Sequence, residues 1–128
     1  MKISPHVQIY KFPISAITSI MNRITGFSLS GFFICGGLSN YYGSNIHNLY
    51  NSLSILPQKT LDFCIVFPCV YHTYGGIRHF LWDKYPTSFL TNHKVSRSSY
   101  ILLSSSFVST GLLEYFDIVK LFVNNNVI

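Results

Sequence analysis

Long apolar stretches alternate with short polar ones along the chain. From Ile24 to Tyr42 no charged residue occurs, and two further apolar runs extend from about Thr60 to Trp82 and from about Ser98 to Phe116. Each is near the roughly 20 residues a helix needs to cross a bilayer. The segment 43–59 between the first two holds Gly43, several Asn and Ser, and Pro57, while 83–98 holds Asp83, Lys84, Pro86, Lys94 and Arg97. The pattern predicts an all-α membrane protein. Its three transmembrane helices fall at about 24–42, 60–82 and 98–116, within one membrane-anchor domain covering residues 1–128.

The rest of the chain fits around those spans. Residues 1–13 carry Pro5 and Pro13, and residues preceding proline avoid the helical region, so an extended segment at the membrane surface is expected. Helical patterning starts at Ile14 and is amphipathic as far as Arg23, giving an interfacial entry to the first span. Ser15, Ser19, Arg23, Gly26, Ser30 and Gly37 share one face of that helix, and Gly26, Ser30 and Gly37 are small enough for close helix packing in lipid. Ile46, Leu49, Tyr50 and Leu53 predict a short interfacial helix in the first loop. Pro68 should kink the second span, because it removes a backbone hydrogen bond.

Composition narrows the class. Of 128 residues, 48% are hydrophobic and only 10% charged, a balance too apolar for an ordinary soluble domain. The formal net charge of +5 comes from basic residues scattered singly between apolar runs, which excludes a nucleic-acid patch. With three spans, Lys2, Lys11, Arg23, Arg78, Lys84, Lys94 and Arg97 fall on one side and Lys59 and Lys120 on the other. Positive charge gathers on the inner side, so the N-terminus is expected to face the matrix or cytoplasm. Cys35, Cys64 and Cys69 lie inside apolar runs, with neither a disulfide framework nor a metal-ligand spacing. Alanine occurs once, at Ala16, the bias an AT-rich organellar genome imposes. No Arg-rich leader precedes Ile14, which favours synthesis inside the organelle if the protein is mitochondrial.

The candidate chemistry sits at the end of the second span. His72, Gly75, Gly76, His79 and Asp83 recur at helical spacing and form one stripe. A lone histidine on an apolar helix serves either as a hydrogen-bonded structural group or as a ligand, and burial in lipid favours function. Two glycines beside it admit a flat, bulky group to the backbone. A b-type haem has the required shape: His72 would reach its metal, and Arg23 and His79, nearer the inner surface, would meet its anionic edge.

Three ordered stretches carry a family resemblance: Ser4-Pro5-His6 with Ile9-Tyr10-Lys11, Ser19-Ile20-Met21-Asn22-Arg23-Ile24-Thr25-Gly26, and His72 followed by Gly76-Ile77-Arg78-His79 and Asp83. Together they resemble the cytochrome b large anchor subunit of succinate dehydrogenase, the three-span membrane subunit of respiratory complex II. The resemblance implies that His72 is an axial ligand to haem b, with the other ligand supplied by a small anchor subunit. It implies that Ser19 and Arg23 border a ubiquinone site beside the iron–sulfur subunit, and that Arg23 and His79 lie near haem propionates. Without it, Ser19 and Arg23 read as a helix cap and a snorkelling arginine. Asp83 would tether the inner end of the helix. Bacterial members often carry histidine where this chain has Asn22, which can donate a hydrogen bond but cannot be cationic.

The function implied is a membrane anchor of succinate:ubiquinone oxidoreductase, docked to iron–sulfur and flavoprotein subunits in the mitochondrial inner membrane, or otherwise in a bacterial inner membrane. Such a chain is not catalytic alone, and it has no dinucleotide-binding glycine motif or Cys-rich iron–sulfur spacing. The alternatives are a haem-free structural anchor docking the soluble subunits, and an unrelated small channel or assembly factor.

Overall fold

A computed structural model describes residues 11–43 and 46–125, with the side chains of His47 and of residues 118–125 left out. The expected extended segment at residues 1–10, with Ser4, Pro5 and His6, lies outside the described residues. Among those described there is no strand. Helix α1 spans Ile14–Tyr41, α2 Ile46–Ser52, α3 Ile55–Lys84, α4 Pro86–Phe89 and α5 Asn92–Asn125.

The boundaries follow local chemistry. Pro13, extended at ψ 147°, precedes the first turn of α1, where its missing N–H costs nothing. At the other end Gly43 takes φ 69° and donates its N–H to the Asn40 carbonyl, the left-handed stop that glycine provides. Helix α3 begins five residues earlier than expected because Pro57 falls in its first turn, where proline is tolerated. It then runs unbroken through Pro68. The second loop is largely consumed: Pro86 opens a single turn, and α5 begins at Asn92.

The three long helices all touch one another. Cross-links fall in opposite order along α1 and α3 (Arg78 to Thr18, His72 to Asn22) and along α3 and α5 (Lys59 to Glu114, Arg78 to Ser99). The bundle therefore runs up, down and up. Its interior is not oily. Among the described residues, Tyr71 and Leu102 are the large apolar side chains buried there, beside Thr18, Thr25, Ser99, Ser106, Thr110 and Arg78. Large apolar residues point outward instead, Phe27 at 83% and Phe33 at 76% exposure among them.

Hydroxyls are satisfied along their own helices: Ser28 bonds to the Ile24 carbonyl, Ser30 to Gly26, Thr73 to Cys69 and Ser106 to Leu102. These bonds let polar side chains sit in apolar surroundings. The same polar load has a consequence for the expected spans. Among the described residues, no helix is long and apolar enough to cross a membrane.

Candidate functional site

The site is the seam where α1 and α3 run antiparallel. Four inward positions on α3, Pro68, Tyr71, Gly75 and Arg78, are buried. The next stripe round the helix, His72, Gly76, His79 and Asp83, is exposed on the outside of the bundle. The stripe expected from sequence is thus split. All but Gly75 face outward together, and Gly75 turns inward.

His72 leans on α1. Its Nδ1 lies 3.0 Å from the Asn22 carbonyl oxygen. A carbonyl only accepts, so Nδ1 carries the proton and Nε2 is left as the basic nitrogen. Gly26 makes this approach possible: a Cβ there would lie 2.8 Å from His72 Cε1. The notch at Gly75 is filled by the Asn22 side chain, which a Cβ at Gly75 would overlap. Gly75 therefore packs helix against helix and is not open to a ligand. At Gly76 an added Cβ would meet nothing within 4 Å. Asn22 Oδ1 is buried without a hydrogen-bond partner.

One turn further, α1 is held again. Tyr71, fully buried, donates its hydroxyl to the Thr18 carbonyl at 3.1 Å. Arg78 is only 7% exposed. Its Nη1 lies 3.1 Å from Ser99 Oγ on α5 and 3.4 Å from Thr18 Oγ1 on α1. Its guanidinium lies 4.5 Å from the centre of the Trp82 ring, a favourable cation–π placement.

Ser19 is half-buried and Arg23 exposed, at the level of the 72–79 segment, and among the described residues neither makes a hydrogen bond. His79 meets Trp82 edge to face at 5.5 Å. With Trp82 and Asp83 it borders an open hollow of about 520 Å³ closed by Pro86 and Leu90. Among the described residues, no group of three or more His, Cys, Asp or Glu could hold a metal.

Residues 1–113 match the succinate dehydrogenase/fumarate reductase transmembrane subunit family. The chain belongs to that family. Among relatives, the mitochondrial succinate dehydrogenase cytochrome b560 subunit of Sus scrofa is 40% identical over 88 residues, covering 63% of this chain and 52% of the relative. Its counterpart in Dictyostelium discoideum is 37% identical over 89 residues, 63% and 44% of the two chains. The succinate dehydrogenase cytochrome b560 subunit of Reclinomonas americana is 33% identical over 117 residues, 84% and 80% of the two. The chain thus spans about half the length of the first two relatives and four fifths of the third.

Within the succinate dehydrogenase/fumarate reductase transmembrane subunit family, this seam adds residues that sequence reading passed over. In the sequence Tyr71, Thr18 and Ser99 have no assigned role, and Arg78 reads as an inner-side charge and as part of the Gly76-Ile77-Arg78-His79 motif. The available signal was the spacing of Pro68, Tyr71, Gly75 and Arg78, a second helical stripe beside the one containing His72.

Proposed function

We propose that this chain is the large membrane anchor of a succinate:quinone oxidoreductase, that it shares a haem b with a second anchor subunit, and that it forms part of the ubiquinone site. The observation that carries the reading is His72. Its Nδ1–H is committed to a backbone carbonyl, which fixes the tautomer and leaves Nε2 basic, the arrangement typical of a metal-ligating imidazole. The residues present fit a porphyrin. His72 and Gly76 lie on one exposed stripe, Gly76 has no neighbour to exclude a flat ring, and Arg23 and His79 are exposed to meet carboxylates. A haem held between two histidines would supply one-electron storage with no open coordination position.

Three transmembrane helices at about 24–42, 60–82 and 98–116 belong to the same reading. Support comes from the family description and from the burial of Thr18, Thr25, Ser99, Ser106 and Thr110 between the helices while large apolar groups such as Phe27 and Phe33 point outward, as lipid or a second apolar subunit requires. A helix too polar to cross alone can cross as part of a bundle that satisfies its polar groups. The N-terminus then faces the matrix, and the iron–sulfur and flavoprotein subunits dock at that side.

At the quinone, Ser19 would donate its hydroxyl to a ring oxygen, and Arg23 would stabilise negative charge developing there. The seam orients both from the backbone. The test is a dithionite-reduced spectrum of the purified complex. Wild type is expected to show b-type absorption bands and His72→Ala to lose them while iron–sulfur and flavoprotein subunits still co-purify. Bands unchanged in His72→Ala would remove His72 as ligand, and a haem-free wild-type complex would leave only the docking role.

A further inference from the structure

The turn of α1 that carries Ser19 and Arg23 is gripped by groups that touch neither side chain. Tyr71 bonds the Thr18 carbonyl and His72 the Asn22 carbonyl. Both carbonyls lie one residue ahead of the two recognition groups. The third grip is Arg78, whose Nη1 and Nη2 each lie 3.4 Å from Thr18 Oγ1, with Nη1 also 3.1 Å from Ser99 Oγ. Thr18 Oγ1 is itself 3.2 Å from Ser99 Oγ.

This guanidinium is costly. Among the described residues it has no carboxylate within ion-pair distance, and its Nε is buried without a partner. Burying a cation without counter-charge is unfavourable, and two hydroxyls and the Trp82 face only partly offset it. A methionine or leucine would fill the space at lower cost. What neither could do is join three helices through a rigid fork of donors.

We propose that Arg78 is a positioning residue for the quinone site. Through the Thr18 hydroxyl it sets the rotation of the α1 turn, and so where the Ser19 hydroxyl and the Arg23 guanidinium stand. The inference rests on the quinone reading above. Neighbouring residues of one helical turn move together, and a misplacement of about 1 Å is enough to weaken recognition.

The test uses the intact complex, with KM and kcat for a short-chain ubiquinone at saturating succinate and amide exchange over residues 15–23. Thr18→Val keeps volume and every charge but removes the hydroxyl. It is expected to raise KM about three- to tenfold, the worth of one hydrogen bond, with kcat within about twofold of wild type, and to speed exchange over the turn. Thr18→Ser is expected to restore both. Arg78→Gln should behave like Thr18→Val, and the double variant no worse than the stronger single, because the Arg78–Thr18 link is broken in either and can be lost only once. Thr18→Val also loses the hydroxyl's bonds to the Ser15 carbonyl and Ser99, and Arg78→Gln the bond to Ser99. Arg78→Lys keeps the charge without the fork and should resemble Arg78→Gln. A wild-type KM in Thr18→Val overturns the proposal, as do multiplying effects in the double variant or full recovery in Arg78→Lys. Should the Arg78 variants not assemble, Thr18→Val and Thr18→Ser decide alone. Arg23→Ala separates the two readings. If it leaves KM unmoved, the quinone site falls and the positioning role with it. If it raises KM while Thr18→Val is silent, only the positioning role falls.

Discussion

Gly75 and Gly76 are neighbours in sequence and opposites in space. An added methyl at Gly75 drives into the Asn22 amide, whereas one at Gly76 meets open space on the outward stripe. Gly75→Ala is therefore expected to destabilise the bundle by about 1–3 kcal/mol, the usual cost of overpacking. Gly76→Ala should leave the bundle's thermal unfolding unchanged yet lower haem content of the assembled complex, because only a ring lying on that stripe would feel the methyl. Equal loss of stability in both variants would refute the assignment of inside and outside. The common face of His72, Gly76, His79 and Asp83 was legible in the sequence, and the motifs singled out His72, Ser19 and Arg23 as candidates. Which way α3 is rotated was not legible. Periodicity places residues on a common face without saying what covers it, and Gly75 and Gly76 are only 100° apart.

Among elements, α3 ties the molecule together at both ends. Far from His72, Tyr50 on α2 donates to both Asp62 carboxylate oxygens at 2.8 and 3.0 Å. Lys59 lies 3.2 Å from Asp62 and 3.5 Å from Glu114 on α5. The hydrogen bond to Asp62, with burial second, raises the Tyr50 phenol above its usual 10.0. Burial opposes the charge on Lys59, but the hydrogen bond and charge of Asp62 and the charge of Glu114 outweigh it, leaving the ammonium above 10.5. Both folded values are raised, so the contribution of the cluster is complete below the ordinary values and lost as pH climbs through the raised ones. The latch is thus expected to stay closed at neutral pH and to open only in strongly alkaline solution. Compared with wild type, an absorbance titration of Tyr50→Phe should lose a phenol that ionises after the exposed tyrosines. A Tyr50 that ionises with the others would contradict the cluster. The short helix α2 was readable from its apolar spacing. The early start of α3 and the extra turn α4 were not, because Pro57 and Pro86 signal breaks in a sequence but occupy first turns in the fold.

At the scale of the whole molecule the bundle is turned inside out relative to a soluble one. Thr18, Thr25, Ser99, Ser106, Thr110 and Arg78 are buried, whereas most of the large apolar side chains, Phe27, Phe33, Ile34 and Ile101 among them, point outward. Alternation of apolar and polar runs made three long helices legible. It could not show that Thr18, Arg78 and Ser99, one from each long helix, meet in the interior, the packing that the proposed spans would need in lipid. Cys35 and Cys64 are exposed on this chain and fall within the proposed spans. A charged maleimide should therefore leave both unlabelled in intact membranes and label them after denaturing detergent. Labelling in intact membranes would place those faces in water and remove the three-span arrangement.

The most direct measurement is a density map of the assembled complex in lipid at a resolution that shows side chains. It is expected to show a porphyrin iron bonded to Nε2 of His72 with Nδ1 still on the Asn22 carbonyl, the ring against Gly76, and Arg23 beside a quinone head. A map in which Nε2 faces acyl chains and no porphyrin lies against the outer stripe of α3 would contradict the account.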